Sequence, residues 1–258
     1  MPETCIVIPC YNEDRRLPAS EFEAFLHADP SVAFCFVNDG STDNTLSLLK
    51  QIQADHQGRV EVIDLPCNAG KAEAVRAGVL RSMRGHNLKY IGFFDADLAT
   101  PLSAIRLLTD AFAGRDDCAL AFGARIRRPG AVIDRSVVRH YFSRIFAAVA
   151  RRLLRLPISD TQCGAKLFKA DLAAQVFAEP FITRWLFDVE IFARIIIHYG
   201  REGASKILAE VPLNHWEEKG ASKIRFSYMA KILCELLALY RATRGMNRQG
   251  SARSGLFF

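Results

Sequence analysis

Apolar runs rich in β-branched and aromatic residues punctuate the first half of the chain: CIVIP, FCFVND, VEVIDL, KYIGFFDAD and ALAFGA. Short runs of this kind, bounded by Gly, Pro, Asn and Asp, predict strands. Between the first four lie segments with helical spacing. That alternation predicts an α/β fold, a mostly parallel central sheet with helices on both faces. Ser41 or Thr42 ahead of Asp43, and Thr100 ahead of Pro101, are the expected helix starts, one as a capping side chain and the other as a cap before a first-turn proline.

The polar motifs follow the strands: PCYNED after the first, NDGSTDN after the second, NAGKAEAVRAG after the third, DADLATP after the fourth. Four loops therefore converge on the rim beyond the carboxyl ends of the strands, where open α/β sheets bind ligands. Asp95 and Asp97 finish a run that reads as a buried strand, and buried acids need a cation, a donor or access to solvent. Carboxylates suit Mg2+ or Mn2+, which proteins hold with one or two acids plus substrate phosphates, so this pair reads as a clamp for a metal and a diphosphate. The same Asp-x-Asp also serves elsewhere as a cap and a turn.

The neighbouring loops carry their own alternatives. Asp39, directly off a strand, either accepts hydrogen bonds from a base or ribose or closes a tight turn. Pro9, Tyr11, Asn12 and Glu13 either wall a base or close the first turn. Gly70 and Lys71 open a helix, where free amides and the dipole favour anions. Neither Gly-x-x-x-x-Gly-Lys nor Gly-x-Gly-x-x-Gly occurs, which removes support for phosphate-loop ATPases and dinucleotide dehydrogenases. SDTQCGAK brings Asp160, Gln162 and Lys166 together across a Gly turn. RWLFDVEIF sets Asp188 and Glu190 on opposite sides of an apolar helix start, so one of them faces a cleft, and Asp188 is the candidate. The six histidines share no spacing and receive no role.

Composition narrows the class. With 258 residues, half of them apolar and 24% charged, the chain suits one folded domain over 1–242, ending in a flexible tail over 243–258. No run of about 18 uncharged apolar residues occurs and the N-terminal stretch lacks a signal-peptide pattern. The seven cysteines form no Cys-x-x-C pair, which argues against a disulfide scaffold and structural zinc and for a reducing cytoplasm. The net charge of +6 is local: residues 125–155 hold nine arginines, no lysine and one acid, so the rest of the chain is slightly acidic.

CIVIPCYNEDRRLP, FVNDGSTDNT, NAGKAEAVRAGV, FFDADLATP, DTQCGAKLF, RWLFDVEIF and EVPLNHWEEKGASK, in that order over about residues 5–225, resemble the family 2 glycosyltransferases of GT-A fold, and among them the dolichyl-phosphate β-glucosyltransferases. The resemblance implies a nucleotide sugar, usually UDP-glucose, a divalent metal, and inverting transfer to a polyprenyl phosphate. It assigns Asp39 to the uridine side, Asp95 to the ribose or phosphate side and Asp97 to the metal. Lys166, and Trp216 through Lys223, would close the site. Asn38 stands where an acid is usual, Ala72 and Glu73 where small glycines are common, and Ala165 where an aromatic is expected. These departures bear on sugar and base specificity more than on fold.

Arg135, Arg139, Ser143, Ala147, Arg151 and Arg155 recur at four-residue spacing opposite Val138, Phe142, Ile145, Phe146, Val149 and Leu153, which predicts amphipathic helices over 132–156. They either pack on the core or lie on an anionic bilayer; related polyprenyl-phosphate enzymes carry interface helices here, and the protein is expected peripherally on the cytosolic face of a membrane. Residues 226–241 read as a further anchor or a packing helix. A phosphate acceptor arrives ionised, so no base is required, and Arg125, with Arg127 and Arg128, would steer it. A same-fold enzyme using GDP-mannose, UDP-GlcNAc or a soluble hydroxyl acceptor would need a base, with Asp188 or Glu217 first in line. A basic nucleic-acid binding module is the non-enzymatic alternative, disfavoured by confinement of the charge to one helix face.

Overall fold

The computed structural model describes residues 2–84, 87–126, 128–134, 152–219, 234–239 and 241. All five expected strands form: β1 (Thr4–Cys10), β2 (Val32–Asp39), β3 (Val60–Leu65), β4 (Tyr90–Phe94) and β5 (Leu120–Ala124). Helices α1 (Ala19–Ala28), α2 (Thr45–Asp55) and α3 (Lys71–Met83) connect the first four, and α4 (Ala104–Asp110) follows β4. Strands β6 (Val132–Asp134), β7 (Ala165–Lys169), β8 (Leu208–Pro212) and β9 (His215–Glu217) come later, with helices α5 (Ala170–Val176) and α6 (Phe187–Ile207) between β7 and β8.

Successive strand residues feed two cores. Val7, Val37, Ile91 and Phe93 pack on the side of α3, α5 and α6, while Ile6, Ile8, Phe34, Phe36 and Phe94 pack on the side of α1, α2 and α4. Both faces are covered, which is why these strands read as continuous apolar runs. Helix α3 lies so close that a Cβ on Gly78 would stand 2.4 Å from a methyl of Val7.

The main sheet has the order β3-β2-β1-β4-β7-β5-β8, with β6 and β9 forming a separate parallel pair. Chain order reverses between β1 and β4, which opens the crevice at their carboxyl ends. Strand β7 runs antiparallel to both neighbours and was not among the strands expected from sequence. Its register sets Ala165 opposite Phe94, so Gly164 comes alongside Asp95.

Several expected boundaries shift. Helix α2 begins at Thr45 and α4 at Ala104, later than Ser41, Thr42 or Thr100. For α2 the cause is competition from the first loop: Ser41 Oγ accepts the Asn12 amide at 3.0 Å and Asn12 Oδ1 accepts the Thr42 amide at 2.9 Å. Asn44 is left as the N-cap, without a side-chain cap bond, and Asp43 just before it accepts the Thr45 amide at 3.0 Å and hydroxyl at 2.6 Å. Residues Val132–Asp134 are strand rather than helix, because they pair with β9. Most of the expected amphipathic segment, including Arg135, Arg139 and Arg151, lies outside the described residues, as do Arg127, Lys223 and the 243–258 tail. Of 226–241, residues 234–239 are helical and Leu239 is buried in the core.

Candidate active site

Each rim loop is held by its own hydrogen bonds. Residues after β1 are stapled to those after β2, with the Glu13 amide on Thr45 Oγ1 at 2.8 Å beside the Asn12 contacts. This leaves the Tyr11 ring 40% exposed at the rim, next to Pro9 at the end of β1. Asp39 is buried, and its two carboxylate oxygens accept the amides of Ala69 at 2.7 Å and Gly70 at 2.9 Å. Gly70 sits at φ +95, a conformation that glycine adopts without cost. Asp39 thereby fixes the loop that delivers the N-terminus of α3 to the crevice. Asn38 turns to Asp64, donating from Nδ2 at 2.7 Å.

At the end of β4 the chain folds in a tight turn, closed by the Leu98 amide on the Asp95 carbonyl. Leu98 has φ +49 and is buried; a β-carbon in that region costs roughly 1–2 kcal/mol, and such strain gathers where surroundings must fix a functional geometry. The turn directs Asp95 and Asp97 to one rim. Lys71, the first residue of α3, hydrogen bonds to Asp95 Oδ1. Burial opposes the Lys71 charge, but Asp95, then Asp188 and Asp97, outweigh it and hold the ammonium well above its ordinary pKa. Asp97 Oδ1 accepts the Ala99 amide at 3.1 Å and Oδ2 the Arg16 guanidinium at 3.1 Å. Burial, followed by the charge of Asp95, nonetheless pushes the Asp97 carboxyl above the usual carboxylate range.

Burial and the neighbouring charge both disfavour an ionised Asp97, so positive charge beside it is stabilising, and in the free protein Arg16 and Lys71 supply it. Asp95 also leans on bare backbone: a Cβ on Gly164 would fall 1.9 Å from its Oδ2. Among the described residues no group of three His, Cys, Asp or Glu side chains could cage a metal. Two oxygen-donor carboxylates beside a helix N-terminus fit a hard divalent ion that brings phosphates as its remaining ligands.

The loop from β5 and the SDTQCGAK segment meet on the other flank. Arg125 donates from Nε at 2.6 Å and Nη2 at 2.8 Å to the two oxygens of Asp160, and its guanidinium lies 5.2 Å from the centre of the Trp216 ring. Asp160 also accepts the Gln162 amide at 3.1 Å, and Glu210 accepts the Ser159 and Asp160 amides, each at 2.8 Å. Trp216 is buried in β9, whose Glu217 amide donates to Ala99 O just past Asp97 at 3.1 Å. Arg128 reaches away, to Asn214 Oδ1.

Lys166 is fully buried on β7, donating to Asp188 Oδ1 and to Cys163 O. Glu190 faces elsewhere, as the opposed placement of the two acids required: it accepts the Thr183 amide and hydroxyl at 2.8 and 2.7 Å and pairs with Arg194. Glu235, from the helical residues 234–239, accepts the amides of Arg184, Trp185 and Leu186. Arg184 in turn reaches Asn68 Oδ1 at 2.7 Å, beside Gly70. Arg16, Gly164 and Arg184 carry no role that the sequence announces. Their contacts span 69 to 116 residues of separation, and local spacing carries no trace of such pairs.

The sequence pattern of Glycosyl transferase family 2 matches residues 5–177. Dolichyl-phosphate beta-glucosyltransferase of Drosophila melanogaster is 34% identical over 243 residues, covering 86% of this chain and 69% of that protein. The Homo sapiens protein of the same name is 31% identical over 235 residues, with the same coverage of each. Among solved structures, glucosyl-3-phosphoglycerate synthase from Mycobacterium tuberculosis, in complex with Mn2+, uridine-diphosphate-glucose and phosphoglyceric acid, superposes with a TM-score of 0.67 at 16% identity over 95% of this chain and 80% of that one. Mannosyl-3-phosphoglycerate synthase from Rubrobacter xylanophilus gives a TM-score of 0.68 at 16% identity, over 96% of this chain and 75% of that one. At such identities the structural likeness concerns the fold.

Proposed function

Because the chain belongs to glycosyl transferase family 2, we propose that it moves a glucosyl group from UDP-glucose to the phosphate of a polyprenyl lipid, with inversion at the anomeric carbon. The observation that carries this reading is the meeting of Asp95, Asp97, Lys71 and the amide end of α3 at the point where strand order reverses. Acids for a metal and a cationic cradle for a diphosphate are what a nucleotide sugar requires. The sugar and the acceptor are taken from the names of the relatives.

In this reading the uridine lies against Tyr11 and Pro9, in the pocket whose floor Asp39 orders, and Lys71 contacts the diphosphate. Asp97 and Asp95 would hold Mg2+ or Mn2+, which when bound would supply positive charge against the departing diphosphate. Gln162 lines the sugar side, and Trp216 helps to close the site. A phosphate monoester has its second pKa near 6, so the acceptor oxygen attacks the anomeric carbon already ionised. The carbon–oxygen bond to UDP breaks and its electron pair leaves with UDP. No proton needs to be removed, which suits an Asp188 committed to the buried Lys166; both order the site. Arg125, clamped by Asp160 against Trp216, presents a rigid charge to the acceptor phosphate.

In this reading the reaction takes place at the cytosolic surface of a membrane, to whose anionic headgroups a chain with nine arginines over residues 125–155 is drawn. Among the described residues no helix is long and apolar enough to cross a bilayer. The test is to incubate the purified chain and Mg2+ or Mn2+ with labelled UDP-glucose, GDP-mannose or UDP-GlcNAc, offering polyprenyl phosphate or phosphoglyceric acid as acceptor. Label from UDP-glucose should enter organic solvent only with the lipid; label that remains aqueous with every donor would overturn the proposal.

A further inference from the structure

We infer that Arg16 is a stand-in cation, occupying the place beside Asp97 that a divalent ion takes when it arrives with a diphosphate, so that the free site resists the bare ion and admits the ion–nucleotide complex. The inference rests on the reading of Asp95 and Asp97 as a metal–diphosphate clamp.

Arg16 follows β1 and Asp97 follows β4, and these strands are neighbours at the reversal of strand order. The Arg16 guanidinium donates to Asp97 Oδ2 at 3.1 Å while its Nε stands 3.5 Å from Glu13 Oε2. Asp95 has its own cation in Lys71. Each of the two candidate ligands is thus already matched by one positive side chain. A bare divalent ion must displace a guanidinium and add charge to a place that holds two cations. A diphosphate changes the balance, because it brings negative charge with the ion. The displaced guanidinium then meets phosphate oxygens, which its planar fork binds better than it binds one carboxylate oxygen.

Arg16 is built to make this exchange and Arg125 is not. The Arg16 side chain is 39% exposed, whereas Arg125 is 11% exposed and locked to both oxygens of Asp160. The backbone beneath stays fixed, since the Arg16 and Leu17 amides both donate to the Glu13 carbonyl and Leu17 is buried. Only the side chain needs to turn.

The test is Mn2+ binding by the purified chain, followed by electron paramagnetic resonance with and without UDP, for the parent, Arg16→Gln, Arg16→Lys and Arg15→Gln. Arg15 is the exposed neighbour, so its variant makes the same change in net charge. The parent should bind bare Mn2+ weakly and Mn2+ with UDP far more tightly. Arg16→Gln should bind the bare ion roughly three- to tenfold more tightly and the UDP complex less tightly by a similar factor. Arg16→Lys should still resist the bare ion yet bind the complex less well, and Arg15→Gln should match the parent. Unchanged bare-ion affinity in Arg16→Gln, or an equal gain in Arg15→Gln, overturns the inference while leaving the donor site intact. Absence of UDP-dependent Mn2+ binding in the parent would remove the donor-site reading, and the inference with it.

Discussion

Two lysine–aspartate pairs stand near one aromatic ring, and they are opposites. The Lys71 ammonium lies 5.8 Å from the centre of the Phe93 ring and the Lys166 ammonium 5.3 Å from it. Lys71 and Asp95 are each 37% exposed, whereas Lys166 is fully enclosed and Asp188 is 9% exposed. Lys71 begins a helix at the open edge of the crevice; Lys166 sits within β7, between β4 and β5. An exposed pair can give up its partner to a ligand and recover hydration in between. A buried pair cannot, because separation strands a charge in a medium that does not solvate it. The first pair is therefore suited to exchange and the second to support.

The largest effect should come from breaking the buried pair. Lys166→Met leaves Asp188 enclosed without its cation, and loss of one partner of a buried pair costs about 3–5 kcal/mol. Urea denaturation should show this as a lower midpoint with an unchanged slope. Replacing both residues, Lys166→Met with Asp188→Leu, should recover most of the loss, since two apolar side chains of similar size leave no stranded charge. If Lys166→Met alone is nearly neutral, the buried pair is not a support, and the contrast fails.

Gly164→Ala should have an intermediate effect. The added Cβ would fall 1.9 Å from Asp95 Oδ2, so the carboxylate must swing away from the backbone and from Lys71. Crowding of this kind costs about 1–3 kcal/mol, and the whole carboxyl group must move, since its Cγ too would lie 2.3 Å from the added carbon. Activity should fall further than stability does, as the metal-side carboxylate is moved rather than removed. Loss of stability without loss of UDP-dependent Mn2+ binding would show that Asp95 works equally well displaced.

The difference between the pairs also marks what could be read from sequence. The first four strands, their helices and the four rim loops follow from local pattern, because parallel strands buried on both faces announce themselves as apolar runs and their loops as polar punctuation. The convergence of Asp95, Asp97 and Lys71 on one rim was legible for that reason. Strand β7 was not: AKLFK is short and carries a lysine where a core strand should be apolar, and that lysine is tolerated only because Asp188, 22 residues later, meets it. The loop anchors were hidden in the same way. Asp39 serves the amides of Ala69 and Gly70, and Glu235 those of residues 184–186; an acid that accepts backbone amides from a distant loop looks, in sequence, like any solvated acid. The late start of α2 has a related cause, since the capping residues Ser41 and Thr42 were claimed by Asn12 before the helix could use them.

The smallest effect on stability, and the sharpest contrast with Lys166, is expected for Lys71→Met. Its pair with Asp95 is more than a third exposed on both sides, and pairs of that kind contribute about 1 kcal/mol or less. Asp95 retains access to solvent when the ammonium is gone, so no charge is stranded. What Lys71 provides is positive charge at the N-terminus of α3, where a diphosphate would lie. Losing one charge-assisted hydrogen bond to a bound anion, worth about 1.5–3 kcal/mol, corresponds to roughly ten- to a hundredfold in affinity. Lys71→Met should therefore melt close to the parent protein while UDP binding, measured by calorimetry in the presence of Mn2+, weakens by at least tenfold. Lys166→Met should show the reverse order, with stability lost first and UDP affinity falling only as the fold loosens. If Lys71→Met instead unfolds the protein as readily as Lys166→Met, the exposed pair is part of the scaffold, and the division between a pair that exchanges and a pair that supports does not hold.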